Sequence, residues 1–555
     1  MKKIGKVIPI ILCLIMCASM LASCSGNNAV TENTPTATVP TGTAPSGTAP
    51  SGNTTSPTQN PGFAVSPDVP PPPEDAKYAE HISIIVLDNM SITNPLLPGG
   101  ATSTNNNLYV MYANNLVRQY GSSIDLDMEL AESWETKDFI SFVFKLRENV
   151  YYHNGDKFNA QSVVDYVALV KEAVGTPTNV AFSSVETVTA LSEYTVEFKL
   201  RGVNPTFLLD ICAPSGAILN AKAIAEDDNK GAWIGTGPWK IVEFLPSDRV
   251  ELARNEDYWG ELPKTKTMTL YSIPEMSSRS IMLQTGEVDF AWNLPENDVP
   301  MFQNDPNFNI YTSYPSLPTT LSFNMSNPIT GDKEFRLAVA HALDRETIRW
   351  AAVGEFGIEA TNGSIWRFGD KYMNERIPII PYDLAKAKQH LEASSYNGEV
   401  VEIAVALARN VKAAEALQEQ LSKVGIKTTI KEMDSPSFNA YMSGTGEEVQ
   451  LMIFTMSQNI NPDSNRNFFT YGAAQNRSNY NNPEYIRLMD EAKASIDENK
   501  RISLYNQVQE VMAEDIPALQ LFGHVLVFVA PKSLGGYDVS NLYYDFRWLY
   551  RVLDD

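Results

Sequence analysis

Between Ser25 and about Ala76 the chain offers almost nothing to bury. The stretch is built from Thr, Pro, Ser, Gly and Asn and closes on the run Pro70 to Pro73. Burial there cannot offset the entropy lost on ordering, so residues 24–76 are expected to form a disordered, partly extended linker. Whatever folds must start at about Lys77. Ahead of the linker stand Lys2, Lys3 and Lys6, an apolar run from Val7 to Met20, and Leu21-Ala22-Ser23-Cys24. The run is too short to span a bilayer comfortably, and a basic start followed by small residues before a cysteine reads as a secretory signal over residues 1–23.

The approach to Cys24 resembles the lipobox of bacterial lipoproteins. That implies lipidation of Cys24 and anchoring on the extracytoplasmic face of the cell membrane. The body from residue 77 to 555 is long enough for two or three structural units, and 43% hydrophobic residues permit substantial cores. A net charge of -23 argues against nucleic acid and against direct docking on anionic lipid, and reads as a solvated acidic exterior. Cys13 and Cys17 leave with the signal and Cys24 takes the lipid. Only Cys212 remains, so the body is expected to hold no internal disulfide. In the apolar run Phe207 to Ile218, that cysteine reads as a buried small hydrophobe.

Patterning is mixed α/β. Phe139 to Leu146, Tyr194 to Leu200 and Thr267 to Ile273 alternate as strands do. Apolar residues from Asp332 to Trp350 recur on one helical face, as they do over Asp383 to Ala393, Val411 to Val424, Pro483 to Asp497 and Ile502 to Glu514. Gly425 is a helix stop followed by strand alternation from Ile426 to Ile430. In Gly235-Thr236-Gly237-Pro238 the glycines permit positive φ at a turn, but the lysine of a phosphate loop is missing. His153-Asn154-Gly155-Asp156 reads as a hairpin tip whose histidine packs or caps.

Catalytic chemistry finds little support. The histidines, His81, His153, His341, His390 and His524, never stand at metal-ligand spacing. Asp463 to Asn467 begins like a calcium loop, yet Phe468 replaces the turn glycine and Ala474 the bidentate glutamate. No Gly-Xaa-Ser-Xaa-Gly elbow with a plausible partner is found. The expectation is a protein that is not an enzyme and carries neither cofactor nor metal.

The order of short segments is more specific than any one of them. Leu130-Ala131-Glu132-Ser133-Trp134-Glu135 with Phe142-Val143-Phe144-Lys145-Leu146-Arg147 is followed by His153 to Ala160. Then come Gly235 to Trp239, Arg254-Asn255-Glu256-Asp257-Tyr258-Trp259, Gly286 to Asp289, and Phe335-Arg336 through Leu343-Asp344-Arg345. Tyr382-Asp383 and Asp515-Ile516-Pro517-Ala518 close the series. Over nearly all of the body this order resembles the family 5 extracellular solute-binding proteins of ABC importers, the oligopeptide- and dipeptide-binding group. The resemblance implies an α/β, bilobed periplasmic-binding-protein-like fold of the type II, three-subdomain class with a hinge between lobes. Lobe I is expected at 77–119, 231–314 and 517–555, an inserted subdomain at 120–230, and lobe II at 315–516. It also implies a monomer that captures a ligand between its lobes and hands it to permease subunits. The other role open to such a fold is that of a surface sensor, chaperone or adhesin, which a gene isolated from permeases and ATPases would favour.

The ligand is expected to be an oligopeptide, with an oligosaccharide as the alternative. In peptide-binding relatives an aspartate after a strand pairs with the peptide ammonium. Ser457 falls at that position here, and Asp463 is the acid able to assume the role. Loss of that charge-assisted bond would cost about 1.5–3 kcal/mol. Asn459, with Gln458 and Asn461, suits hydroxyl groups. The remaining candidate contacts are Asn94 in the first loop and Trp292 after the Gly286 to Asp289 segment. Trp366 and Arg367 offer a flat face and a carboxylate fork, and Tyr314 and Asn324 are expected to flank a hinge crossing.

Overall fold

A computed structural model describes residues 76–87, 94–97, 103–119, 126–292, 294–312, 317–360, 362–366, 371–442, 449–456, 461–473, 476–537 and 545–553. The signal, the linker and Cys24 lie outside the described residues, as do Tyr314, Arg367, Ser457 and Asn459. The body is bilobed, each lobe built on its own sheet. The first sheet has seven strands in the order Phe308–Thr312, Val527–Pro531, Phe290–Ala291, His81–Leu87, Thr267–Ser272, Arg249–Arg254 and Trp239–Leu245. The second has six, in the order Gly357–Glu359, Ala518–His524, Leu317–Phe323, Leu451–Thr455, Val400–Val405 and Lys427–Glu432.

A four-stranded antiparallel sheet lies within residues 131–200, and there the alternation is plain. Phe142, Phe144 and Leu146 point inward from one strand, and Val196, Phe198 and Leu200 from its neighbour. Successive side chains of a strand face opposite ways, so each strand buries one face and leaves the other to its polar residues. Helix Ala160–Glu172 covers the buried face. It starts at Asn159, whose side chain accepts from Ser162 N while the Ser162 hydroxyl answers from N3, a reciprocal cap.

Other elements follow local rules. Helix Ala408–Val424 stops at Gly425, whose φ of 97° only glycine adopts cheaply, and strand Lys427–Glu432 follows. The expected helix from Asp332 to Trp350 is two helices, Lys333–Ala342 and Arg345–Val353, because the Asp344 carboxylate caps a new start through Thr347 N. Gly235 and Gly237 are needed for room rather than for positive φ. A Cβ on either would lie 2.1 Å from Tyr112 O or 2.5 Å from Tyr112 C. His153 is half-buried in the same corner and bonds the carbonyls of Gly237 (3.0 Å) and Trp233. Cys212 is 3% exposed, and burial pushes its thiol up to about 12.

The lobe boundary differs from expectation at its second crossing. Ala518–His524 pairs with Leu317–Phe323 and Gly357–Glu359 inside the second sheet. The chain therefore returns to lobe I between His524 and Val527, not at Pro517. Ile516, at φ 55° and ψ 55°, ends helix Glu498–Asp515 and turns the chain into a strand of the same lobe. Beyond the crossing, the C-terminal stretch is locked into lobe I by a buried charge cluster. Glu129 meets Arg118 at 2.8 Å and Arg547 at 2.9 Å, and accepts from Asn115 N at 2.7 Å. Burial alone would raise the Glu129 pKa, but the two guanidinium groups hold it below the usual carboxylate range. Among the described residues no helix is long and apolar enough to cross a membrane.

Candidate binding cleft

Strand direction locates the cleft. His81–Leu87 runs parallel to Phe290–Ala291, and both are opposed by Val527–Pro531, which starts at the hinge. Their carboxyl ends therefore face the hinge. In lobe II, Val400–Val405 runs parallel to Leu451–Thr455, and Thr455 pairs with Thr319 next to the Leu317–His524 pair. Those carboxyl ends face the hinge too. Ligands of open α/β sheets bind outside the carboxyl ends of the strands. The segments that follow those ends carry Asn94 and Trp292 in lobe I, and Asn461, Asp463 and Arg409, in the first turn of helix Ala408–Val424, in lobe II.

Two kinds of contact join the lobes. At the hinge, Val299, Phe356, Val525 and Val527 form a buried apolar cluster with Ile310 and Ile358 against it. Beside it His524 Nε2 lies 3.4 Å from Glu296 Oε1. Burial, helped by the Arg409 charge, pulls the His524 pKa down to about 4 despite Glu296. The imidazole is neutral at physiological pH, so this is a hydrogen bond rather than an ion pair. Gln303 Nε2 also donates to Glu355 Oε1 at 3.3 Å on the exposed side.

At the opposite rim the contact seen among the described residues is polar. Asn461 of lobe II donates to Asp210 Oδ1, while Asp210 Oδ2 accepts from Asn204 at 2.9 Å. Asp210 is half-buried on the short helix Phe207–Ile211 of the region bearing the four-stranded sheet. Burial first, with Asp463 nearby, pushes its pKa up to about 6, against the pull of Lys493 and the two amides. Asp463 itself is saturated within lobe II. One oxygen meets Arg466 Nε at 2.6 Å and the other Lys493 Nζ at 2.9 Å.

The candidate residues named from sequence divide accordingly. Trp292 follows the carboxyl end of Phe290–Ala291, half-buried against the lobe I core, with its backbone N–H donating to Ile85 O at 2.9 Å. Asn94 is buried, donates to Asp228 O and accepts from Leu96 N, which makes it a turn tie. Asn324 does not flank a hinge crossing. It follows the other end of Leu317–Phe323, fully buried, donating to Val449 O at 2.7 Å and accepting from Asn479 at 2.9 Å. Trp366 is 1% exposed and packs on Tyr505 at 5.5 Å, so the flat face expected for a ligand is spent on the lobe II core. Asp463 stands at the cleft end, but its charge is already matched. Sequence reading did not single out Asp210 and weighed His524 only as a metal ligand, although each is the one charge-bearing side chain inside an otherwise apolar run. Among the described residues no three His, Cys, Asp or Glu side chains gather as a metal site.

Comparison with known proteins agrees with this architecture. The chain is 27% identical over 494 residues to the dipeptide-binding protein of Escherichia coli (strain K12), covering 81% of this chain and 90% of that protein. It is 26% identical over 460 residues to the oligopeptide-binding protein AppA of Bacillus subtilis (strain 168), covering 77% and 83%. In fold it superposes on the periplasmic binding protein DppA from Helicobacter pylori in complex with the peptide STSA. That match has a TM-score of 0.76 at 23% identity, over 86% of this chain and 98% of the other. The family model for bacterial extracellular solute-binding proteins, family 5, matches residues 125–479. The chain belongs to the bacterial extracellular solute-binding proteins of family 5, whose work is capture rather than catalysis.

Proposed function

We propose that the chain is a membrane-tethered capture protein that closes its two lobes on a peptide-like solute and presents the closed form to an ABC importer permease. The observation that carries the reading is its likeness to a dipeptide-binding protein over 81% of the chain. The physical requirement is modest. A ligand that touches both lobes stabilises the closed form over the open one by its differential affinity, and no covalent step is involved. Trp292 offers an apolar face for a side chain, and the Asp210 carboxylate at the rim suits an ammonium group. In this reading Cys24 carries the lipid and residues 24–76 are the tether.

Thermal unfolding of the chain from Ser25 onward tests the ligand class. Dipeptides and tripeptides with a free amine are expected to raise the midpoint, by about 2.7 kcal/mol of added stability at a hundredfold excess over Kd, and their N-acetylated forms much less. A shift with neutral oligosaccharides and none with any peptide would overturn the peptide reading. Cys24→Ser is expected to move the protein from the membrane fraction to the medium. Unchanged membrane retention would remove the anchor from the proposal.

A further inference from the structure

Lobe II holds a second concavity at the end of its sheet remote from the cleft. It lies between the last turns of helix Glu498–Asp515, the beginning of strand Ala518–His524, and loop residues 362–365 and 377–380. Counted out to its open mouth it encloses about 530 Å³. Gln520 on its wall pairs with Thr320, four residues along the strand from the hinge-side His524. At about 3.4 Å per residue the crevice therefore stands about 13 Å back from the cleft edge.

Its chemistry is one-sided. Among the described residues no acidic side chain lines it. Arg345 enters with Nε on Gln520 O at 3.0 Å and Nη1 on Ile380 O at 2.9 Å, and neither acceptor carries a full charge. Among the described residues no carboxylate pairs with it, and burial by itself pulls its pKa down to about 10. A guanidinium in that position is short of a counter-ion. Gln520 adds a second open donor. The residue is 3% exposed, and its Nε2 has no hydrogen-bond partner among the described residues. A buried donor left unmatched is costly, which is why native proteins rarely leave one so. The remaining wall is largely aliphatic, including Ile377, Met512 and Leu519.

We infer that this crevice is a separate binding site for a short aliphatic monocarboxylate, its carboxylate held by Arg345 and Gln520 and its alkyl tail against Ile377, Met512 and Leu519. One uncompensated cation matches one negative charge. An apolar wall favours an alkyl group over the fully hydrated faces of phosphate. The site is independent of the peptide reading of the cleft and stands or falls without it.

Calorimetric titration of the full chain with sodium butyrate tests this, with sodium chloride and sodium phosphate at matched ionic strength as the other arms. Saturable binding of butyrate alone is expected, at least tenfold weaker in Gln520→Leu. Ala513→Phe, which fills the crevice from its lip without touching the Arg345 bonds, is expected to abolish it and covers the case in which Gln520→Leu fails to fold. In both variants the response to peptide should be that of the parent chain. No heat beyond that of chloride, saturation by phosphate instead, or butyrate binding that survives Ala513→Phe would each overturn the inference.

Discussion

The hinge and the opposite rim both join lobe I to lobe II, yet they are made of different materials. The hinge is largely apolar, with Phe356 and three valines buried together beside a neutral histidine. The rim is a bond between Asn461 and Asp210, set beside a carboxylate already shared by Arg466 and Lys493. Apolar burial has no direction and resists separation, so it suits an axis that stays assembled while the lobes swing. Polar contacts exchange with water at small net free energy, so they suit an edge that must open and close. A capture protein needs one of each.

The hinge core should show the largest effect if that division is right. Phe356→Ala is expected to cost about 3–5 kcal/mol in urea unfolding, as a buried ring leaves a cavity. A loss below about 1 kcal/mol would mean that the cluster is no core at all.

Acidification should then separate the two regions by sign. The His524 pKa lies near 4 in the folded protein against an ordinary 6.5. Between those values the unfolded chain binds the extra proton, so this contribution is complete above pH 6.5 and is lost as pH falls toward 4. The loss is about 3 kcal/mol at most, and His524→Gln should remove it from the unfolding profile.

Asp210 runs the other way, with a folded value near 6 against an ordinary 3.8. The folded state holds the proton more tightly in that window. Stability from this group is therefore present at low pH and lost as pH climbs through 6, by about 1–2 kcal/mol once its partial exposure is allowed for. Asp210→Asn should flatten that slope. Equal signs for the two variants would break the comparison. Gln303→Ala, at the exposed edge of the hinge, is expected to change stability by less than about 0.5 kcal/mol in the same assay.

Much of the architecture could be read from the chain before any coordinates. Alternation in residues 141–146 and 195–200, and the glycine after Val424, are local signals with local causes, and they hold. The split at Asp344 had a local signal too, since a capping aspartate breaks a helical face without disturbing its apolar spacing. The site was less legible because its decisive facts are long-range. Trp366 looks like a platform until Tyr505 covers it, 139 positions on. Asp463 looks like a free acid until Lys493 arrives 30 positions later. Asn324 seemed to border the hinge because it follows a hinge strand, but that strand runs away from the crossing. Fractional charge and open surface are decided by partners that a linear pattern does not name.

The Glu129 cluster bears on how such a body is made. Its second arginine lies 418 positions beyond the glutamate. Until synthesis has passed Arg547, an acid and a base at the start of lobe I lack their third member. That corner of lobe I thus completes its ion pairs only after lobe II has been made, and a chain that waits is a chain that can still be threaded or handed on.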